Sequence, residues 1–597
     1  MGAVAGWVAG AGGAPAAAIA PMLEALAHRG ERAAALDAGR VLLGARGPQF
    51  LHDEASGIAL ALDGELCNRA ALRAYLAARG HRFEGDSSAE VLLRAYRHWD
   101  KDVARELRGA FAFALWDARK DRLMLARDRF GEKPLYLTES GGALYFASET
   151  KALLAHPAIR AELDLASVWD FLALGYVPGP RTLVWGVRKL APGCYALWQF
   201  GQLREVRYWT PPDREALVRR EVGADPVGEF IGRLDEAVKE RMDLEGPTGA
   251  FLSSGLDSTV MLALMARHGG RIRSFSAGFE GSRASELPAA AAAAKRCGAE
   301  HHEIVFSPRE FVAVLPRLVA ARDAPLSRAS DVALHLLARE AARSVRTVLT
   351  GEGCDEILGG YRRYAAERCA WLTSSLPTLL AAAAPLARSH ASLRNAAASL
   401  RIADWRSRWA RWTGVLDGPG RERLSVLGMD PATFPQRFDA DPRASRLRRM
   451  LYFEQTGRLA DQGLERLDRM TSAASLEARA PFLDHRFAER VSQLPDAMRV
   501  RGASTKWILR QAAARLAPAA VPRQGGFGVP AGAWLRGEMR EFLADHLRGP
   551  GSLTRPYYDA RLLDRILDAH LGGRRNHEEL LWTLLNLEIW HRACLRP

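Results

Sequence analysis

Cysteine is scarce in this chain. Six occur in 597 residues, at positions 67, 194, 297, 354, 369 and 594, and no spacing among them suits a disulfide framework or a metal site, so they read as reduced thiols. No run of about 18 apolar residues is present, which excludes a membrane-spanning helix on sequence grounds. The opening residues, Met1, Gly2, Ala3, Val4 and Ala5, carry no basic cluster, so no secretion signal is read and a cytoplasmic location is expected. Lysine is sparse, and the excess of 83 basic over 69 acidic residues, a net charge of +14, rests mainly on arginine. No nucleic-acid motif accompanies that charge. The arginines are scattered among alanines in helical stretches, as on solvated helix faces, with a functional basic surface as the alternative. Neither nucleic acid nor membrane is expected as a partner. What is present is ordinary globular material, 48% apolar and 25% charged, which excludes fibrous and disordered classes and at this length calls for two or more domains.

Residues 249–259, G-A-F-L-S-S-G-L-D-S-T, lead from an apolar segment through a loop dense in serine and glycine into the apolar pattern of Val260 to Met265. This predicts a strand, a loop and a helix N-terminus. Small residues let backbone N–H groups approach an anion, serine hydroxyls add donors, and the helix end adds its positive dipole, so the loop is a candidate phosphate site. Asp257 places a carboxylate there, the usual sign of a metal ion between protein and phosphate. An ordinary strand, turn and helix with a serine cap would use the same residues.

Two further segments follow. Residues 345–361, V-R-T-V-L-T-G-E-G-C-D-E-I-L-G-G-Y, read as a buried strand entering a glycine-rich acidic turn, and residues 468–470, D-R-M, precede S-L-E-A-R-A-P-F-L-D-H at 475–485. The first loop resembles the S-G-G-x-D-S pyrophosphate loop of enzymes that cleave ATP between its α and β phosphates, with Ser254 in place of one glycine. The second and third are similar to G-E-G-x-D-E-x-x-G-G-Y, D-R-M and S-L-E-x-R-x-P-F-L-D-H of the asparagine synthetase family, and the resemblance covers essentially the whole chain.

That resemblance implies an α/β multidomain fold. An N-terminal Ntn-type α/β/β/α sandwich, glutaminase-like, would span 1–210, and a C-terminal parallel-sheet synthetase domain of the ATP-pyrophosphatase type would span 225–597. The pattern of the residues is consistent with this. Short strands at 40–44, 58–62, 111–116, 123–126 and 143–147 are broken by helical patterns at roughly 14–28, 68–80 and 88–106. A linker is read at 208–213, Y-W-T-P-P-D, and from about 225 apolar strands alternate with long helices, as in βαβ units. Family landmarks remain at 28–30 (H-R-G), 128–136 (D-R-F-G-E-K-P-L-Y) and 147–149 (A-S-E).

The glutaminase parts do not remain. Where the family has a cysteine after the initiator methionine, this chain has Gly2 and Ala3, neither of which offers a nucleophile. The family's N-G-E-I-Y-N reads D-G-E-L-C-N at 63–68, its S-D-T-E reads S-S-A-E at 87–90 so that Ser88 stands for the acid expected to hold the substrate amine, and of R-L-S-I only Arg46 is left, followed by Gly47 and Pro48. The domain is expected to keep its fold without its activity.

In the synthetase part the resemblance implies the following roles. Ser253, Gly255, Asp257 and Ser258 would hold the pyrophosphate of ATP with Gly351 beside it, Asp257 and Asp355 would ligate Mg2+, and the strand at 273–279, including Phe275 and Ser276, would cradle adenine by its backbone, with Glu286 just downstream. Lys506, in S-T-K-W-I-L-R at 504–510, would face the phosphates and the acyl intermediate; alone it also reads as a solvated side chain. Glu352 is the expected base for the attacking amine, with a structural acid on an arginine as the alternative. Relatives that close β-lactam rings carry tyrosine there. R-Q-G-G-F-G-V-P at 523–530 resembles a loop near the site, or serves only as a turn.

The expected function is therefore an ATP-dependent, AMP- and pyrophosphate-forming amide ligase that does not hydrolyse glutamine. Lost glutaminase with retained Glu352 fits a lasso peptide cyclase, which joins an Asp or Glu side chain to the peptide's own N-terminus. Its substrate would be an acidic-residue-containing peptide, and a leader peptidase is a compatible partner. The alternative is an asparagine synthetase or tailoring amide synthetase using free ammonia. In D-A-P-L-S-R-A-S-D-V-A-L at 323–334, Arg328 and Ala333 replace an acid and a proline of the family pattern, a departure that suits an acyl donor other than free aspartate.

Overall fold

The computed structural model describes residues 2–10, 19–213, 223–242, 247–282, 285–367, 404–428, 440–517 and 528–595, together with 399 and 402. Twelve strands in its first third form two antiparallel six-stranded sheets. The strands are β1 (Ala3–Val8), β2 (Ala33–Asp37), β3 (Val41–Arg46), β4 (Phe50–Asp53), β5 (Ile58–Leu66), β6 (Gly109–Asp117), β7 (Arg122–Arg127), β8 (Tyr136–Ser140), β9 (Ala143–Ala147), β10 (Arg188–Lys189), β11 (Cys194–Gln199) and β12 (Gln202–Arg207). One sheet runs β10-β8-β9-β1-β3-β2 and the other β12-β11-β7-β6-β5-β4.

Alternation along each strand makes the layers. In β1, Val4 and Val8 enter the core between the sheets with Leu43, Ala61 and Leu125, whereas Ala3, Ala5 and Trp7 face a helical layer containing Val168 and Phe171. The opposite sheet turns Leu60, Leu62 and Phe113 toward helices Arg69–Ala77 and Ser88–Trp99. The α/β/β/α sandwich expected from the resemblance is thus present. The helix expected at 14–28 is reduced, within the described residues, to Ala20–Glu24 and a single turn at Ala27–Arg29. The one expected at 88–106 breaks at Asp100, whose φ is 52°, before a short Val103–Glu106 helix.

The segment read as a linker is pinned. Tyr208 Oη donates to the Arg127 carbonyl at 2.9 Å, and Trp209 Nε1 donates to Glu489 at 2.8 Å.

Five strands build the second part: β13 (Thr248–Phe251), β14 (Ile272–Phe279), β15 (Glu300–Phe306), β16 (Thr347–Leu349) and β17 (Glu477–Arg479), in the parallel order β15-β14-β13-β16-β17. Helices cover both faces, as an all-parallel sheet requires. Met261 and Leu264 with Ile508 and Leu509 lie on one side, and Phe311, Leu336 and Leu584 on the other. The order reverses at β13. Chain leaving β13 goes to β14 on one flank and chain leaving β16 belongs to the other, so the loops after these two neighbours open a crevice at the carboxyl edge. Residues 253–255 and 350–353 occupy that crevice.

Candidate active site

The loop after β13 is closed on itself. Ser258, in the first turn of helix Leu256–Arg267, accepts from Ser253 N at 3.1 Å and meets Ser253 Oγ at 3.0 Å, while Gly255 N donates to Ser253 Oγ at 3.1 Å. These bonds fix the turn by which the backbone enters the helix. Asp257 follows and points across to the second loop. Gly351 packs against it so closely that a Cβ there would lie 2.9 Å from the Asp257 Cβ.

Three charged groups converge at this point. Lys506 Nζ lies 2.5 Å from Asp257 Oδ2 and 2.5 Å from Asp355 Oδ1, and Cys354 Sγ donates to Asp257 Oδ1 at 3.2 Å. Burial opposes the charge on Lys506, yet the carboxylates beside it hold its pKa well above the usual lysine value. Lys506 reaches the cluster from a left-handed backbone conformation, φ 51°, just before helix Trp507–Leu516; such a conformation at a non-glycine residue costs about 1–3 kcal/mol and is kept where the surroundings impose it. Gly360 is part of that imposition, since a Cβ on it would fall 1.7 Å from Asp355 Oδ1 and 2.0 Å from Lys506 Cε.

Beside the cluster, at the ends of β13 and β14, is a shallow recess lined by Ser253, Ser276, Gly278, Ser282, Glu286 and Gly528. Glu286 accepts from Ser254 N at 3.3 Å, which ties the recess to the first loop. Ser276 Oγ is used internally, donating to the Leu252 carbonyl at 2.6 Å. Phe275 faces away from the recess, its ring stacked on His302 with centroids 5.1 Å apart, so at this position only backbone is available to a ligand. Of the loop at 523–530, residues 523–527 lie outside the described residues.

Glu352 lies in the same turn as Asp355. Arg466 Nη2 holds both its oxygens, at 3.1 and 3.3 Å, and Gly463 leaves room for the carboxylate, since a Cβ there would be 3.0 Å from Glu352 Oε1. Arg466, Arg458 and Asp461 come from a continuous helical stretch of residues 446–472 whose middle, Glu454–Leu464, is wound in wide π turns, a distortion common at functional sites. Behind the turn, Glu356 accepts from Tyr361 Oη at 2.5 Å. Burial and the nearby charges of Asp355, Glu454 and Glu352 push its carboxyl up to about 7. None of Arg466, Glu356 or Gly360 was picked out from sequence. The last two lie within the quoted motif, but the pattern of residue types gives no signal for Arg466.

Asp257 and Asp355 are a donor set that suits a hard cation. Mg2+ is commonly held by one or two carboxylates completed by phosphate oxygens and water, and both carboxylates here reach one point. Among the described residues no group of three His, Cys, Asp or Glu forms a metal site by itself.

Gly2 stands where the resemblance places the nucleophile of a glutaminase. A side chain on Gly2 would lie 3.1 Å from the Leu62 carbonyl and 3.3 Å from that of Arg46, and the Gly2 carbonyl accepts from Arg29 Nε at 2.9 Å. Ser88 is fully buried and accepts from Leu66 N at 3.3 Å. Arg46 turns to the Leu23 carbonyl at 2.7 Å and to Glu24 at 2.8 Å.

A buried ionic network joins this region to the synthetase part. Arg29 donates to Asp63, Glu149 and both oxygens of Asp468, at 2.8 to 3.0 Å, and Lys133 donates to Asp468 at 3.0 Å. Arg469 pairs with Glu149, and Lys189 with Glu465 at 2.9 Å. The D-R-M segment is therefore a joint between the two parts.

Sequence comparisons agree with this architecture. The asparagine synthase family profile matches residues 229–592, and that of a glutamine amidotransferase domain matches residues 1–209. A putative asparagine synthetase [glutamine-hydrolyzing] of Mycobacterium tuberculosis (strain ATCC 25618 / H37Rv) is 34% identical over 553 residues, covering 89% of this chain and 84% of that protein. Asparagine synthetase [glutamine-hydrolyzing] 1 of Bacillus subtilis (strain 168) is 30% identical over 544 residues, with the same coverage of 89% and 84%. Among solved structures, an allosteric regulatory enzyme of purine biosynthesis matches with a TM-score of 0.28 and 16% identity over 51% of this chain and 80% of that one, a likeness too slight to carry an argument. With the profile matches, the relatives over nine-tenths of its length and the sandwich followed by a parallel sheet, the chain belongs to the asparagine synthetase family and is a carbon–nitrogen ligase of the AMP-forming class.

Proposed function

We propose that this chain is an ATP-dependent amide ligase that takes its amine from the substrate instead of from glutamine, and that it closes a macrolactam on a peptide in the manner of a lasso peptide cyclase. Residues 1–210 would then be a glutaminase-like domain without activity, and 225–597 the working domain, acting in the cytoplasm where ATP is available. The observation that carries the reading is a contrast: Asp257, Asp355 and Lys506 meet within 2.5 Å contacts beside an open recess, while the position of the glutaminase nucleophile is a glycine with its carbonyl tied to Arg29.

A carboxylate is unreactive toward amines until it has a leaving group. In the proposed reaction a carboxylate oxygen of the peptide attacks the α phosphorus of ATP, pyrophosphate departs, and an acyl-adenylate forms. The amine then attacks the acyl carbon, AMP leaves, and the nitrogen loses one proton. The adenine would lie in the recess along β14, Ser253, Gly255, Ser258 and Gly351 would bind pyrophosphate oxygens through backbone and hydroxyl donors, and Lys506 would stabilise the charge that develops on the phosphates. Mg2+, held by Asp257 and Asp355, would shield the phosphate charge.

Glu352 would accept the proton of the amine. Arg466 Nη2, shared between its two oxygens, orients the carboxylate, and Glu352 N, bonded to Thr350 Oγ1 at 3.3 Å, fixes the turn. Attack by an amine of the same peptide is favoured by effective molarity, so no ammonia passage is needed. The second reading, an asparagine synthetase or tailoring amide synthetase fed by free ammonia, is favoured by the names of the relatives and by retained Glu352.

The test is pyrophosphate release with ATP and Mg2+, comparing aspartate plus ammonium, aspartate plus glutamine, and a core peptide with an acidic side chain and a free N-terminus. Release that requires the peptide, with loss of one water from its mass, is expected. Asparagine formed from ammonium would replace this reading with the second, and turnover driven by glutamine would refute the inactive glutaminase.

A further inference from the structure

The helix that carries Arg466 is held from two sides. Glu465 and Arg466 are consecutive residues just after the wide π turns of Glu454–Leu464, and neighbours in a helix point about 100° apart. Arg466 turns toward the synthetase site, where Nη2 lies 3.1 Å from Glu352 and Nη1 lies 3.8 Å from Asp331. Glu465 turns toward the N-terminal domain, accepting from Tyr136 Oη at 2.9 Å and from Lys189 Nζ at 2.9 Å. Asp461, one turn earlier, repeats the tie: it accepts from Gly179 N at 2.7 Å, and Lys189 Nζ is 3.5 Å away.

Tyr136, Lys189, Asp461 and Glu465 are all buried, and with Arg322 they line one cavity between the two domains. Arg322 donates to Asp331 at 2.8 Å, so the far wall of that cavity leads to the same carboxylate that Arg466 approaches. In such a setting charge pairs are strong and directional, and a missing partner is not replaced at low cost. Lys189 and Tyr136 are the two donors to Glu465 among the described residues. Without Lys189 the helix loses its charged anchor, and any turn of the backbone at Glu465 carries Arg466 with it.

We propose that the N-terminal domain braces the amide-forming step, with Lys189 and Glu465 as positioning residues that set the helix from which Arg466 orients Glu352. This rests on the reading of Glu352 as the base that follows adenylation, and it gives the glutaminase-like domain a task that needs no glutamine hydrolysis. Lys189 acts through Glu465 and makes no contact of its own with Glu352. Neither brace residue pairs with Asp257, Asp355 or Lys506, so adenylation is left intact and attack by the amine is the step that depends on the brace.

The test separates the two half-reactions in the full chain. Adenylation is read as exchange of labelled pyrophosphate into ATP, with L-aspartate in the absence of ammonium or with an N-acetylated peptide bearing a glutamate side chain. Amide formation is read by mass spectrometry with L-aspartate plus ammonium chloride and with the same peptide bearing a free N-terminal glycine. Lys189→Met is expected to keep exchange within about twofold of wild type and to slow amide formation by about tenfold or more, and Lys189→Arg to recover most of the loss. The double variant Lys189→Met/Glu465→Gln leaves no bare buried charge, so it guards against failure of the single variant to fold, and it is expected to show the same split. Trp209→Phe breaks a different contact between the domains, that with Glu489, and is expected to leave both steps unchanged. Amide formation at the wild-type rate in the Lys189 and double variants, exchange and amide formation falling together in both, or equal slowing in Trp209→Phe overturns the assignment. A wild type that exchanges no pyrophosphate with either probe overturns the adenylation reading, and the brace with it.

Discussion

Replacing Asp468 by asparagine removes one charge from the joint between the two halves and keeps its shape. Asp468 accepts from Arg29 at 2.8 and 3.0 Å and from Lys133 at 3.0 Å. Arg29 would keep Asp63 and Glu149, each at 3.0 Å, but Lys133 has no other carboxylate within ion-pair distance among the described residues, only the more distant charges of Asp63 and Glu477. Breaking a buried pair by removing one partner costs about 3–5 kcal/mol, and we expect about 4 kcal/mol here, because one cation is left bare and the other only weakened. With about 2.1 cal/mol/K of unfolding entropy per residue, a chain of this size melting as one unit would lose about 3 °C in Tm.

The pH dependence gives an independent check. Burial would raise the Asp468 pKa, but Arg29 and Lys133 hold it well below the usual carboxylate range. Its contribution is therefore complete above the unfolded value near 4 and is lost as pH falls. The gap in Tm between wild type and Asp468→Asn should be full at pH 7.5, begin to narrow below about pH 4 and close only as pH falls through the native-state value, well below the usual carboxylate range. Scanning calorimetry of both proteins across that range measures it, with Asp564→Asn as the surface control, since Asp564 is partly exposed in its pair with Arg555 and such pairs contribute about 0–1 kcal/mol. Identical melting of wild type and Asp468→Asn at pH 7.5, or a gap that persists unchanged in acid, would refute the reasoning.

Two other outcomes follow from the glycines. Gly360→Ala should displace Lys506 or Asp355, because its Cβ would sit 2.0 and 1.7 Å from them; pyrophosphate formation should fall by about 100-fold or more, and retained wild-type rates would show that the cluster is not needed. Gly2→Cys should not create a glutaminase, since the new side chain would press on the Leu62 and Arg46 carbonyls and Ser88 offers no acid to the substrate; glutamate release above background would contradict this.

Much was legible in the sequence because the determinants were local. The loop at 253–258 announces itself through small residues before an apolar helix, and the parallel sheet through alternation of strands and helices. That position 2 carries no thiol needed only the residue type. Other elements were missed for physical reasons. β1, Ala3–Val8, is buried throughout and shows no polar alternation, so its strand character is invisible until a sheet covers one face and helices the other. The helical pattern at 88–106 breaks at Asp100, where a backbone of φ 52° is imposed by packing.

Sequence alone thus determined the order of elements, the chemistry available in each loop and the lack of a thiol at Gly2, since these depend on residue type and near neighbours. Tertiary structure decided which charges meet. Asp468 reaches Arg29 across 439 positions of sequence, and Lys506 reaches Asp257 across 249. Whether Arg466 neutralises Glu352 depends on how separate helices and loops face one another. Ion pairing acts over a few ångströms in space, whereas a motif records only distance along the chain.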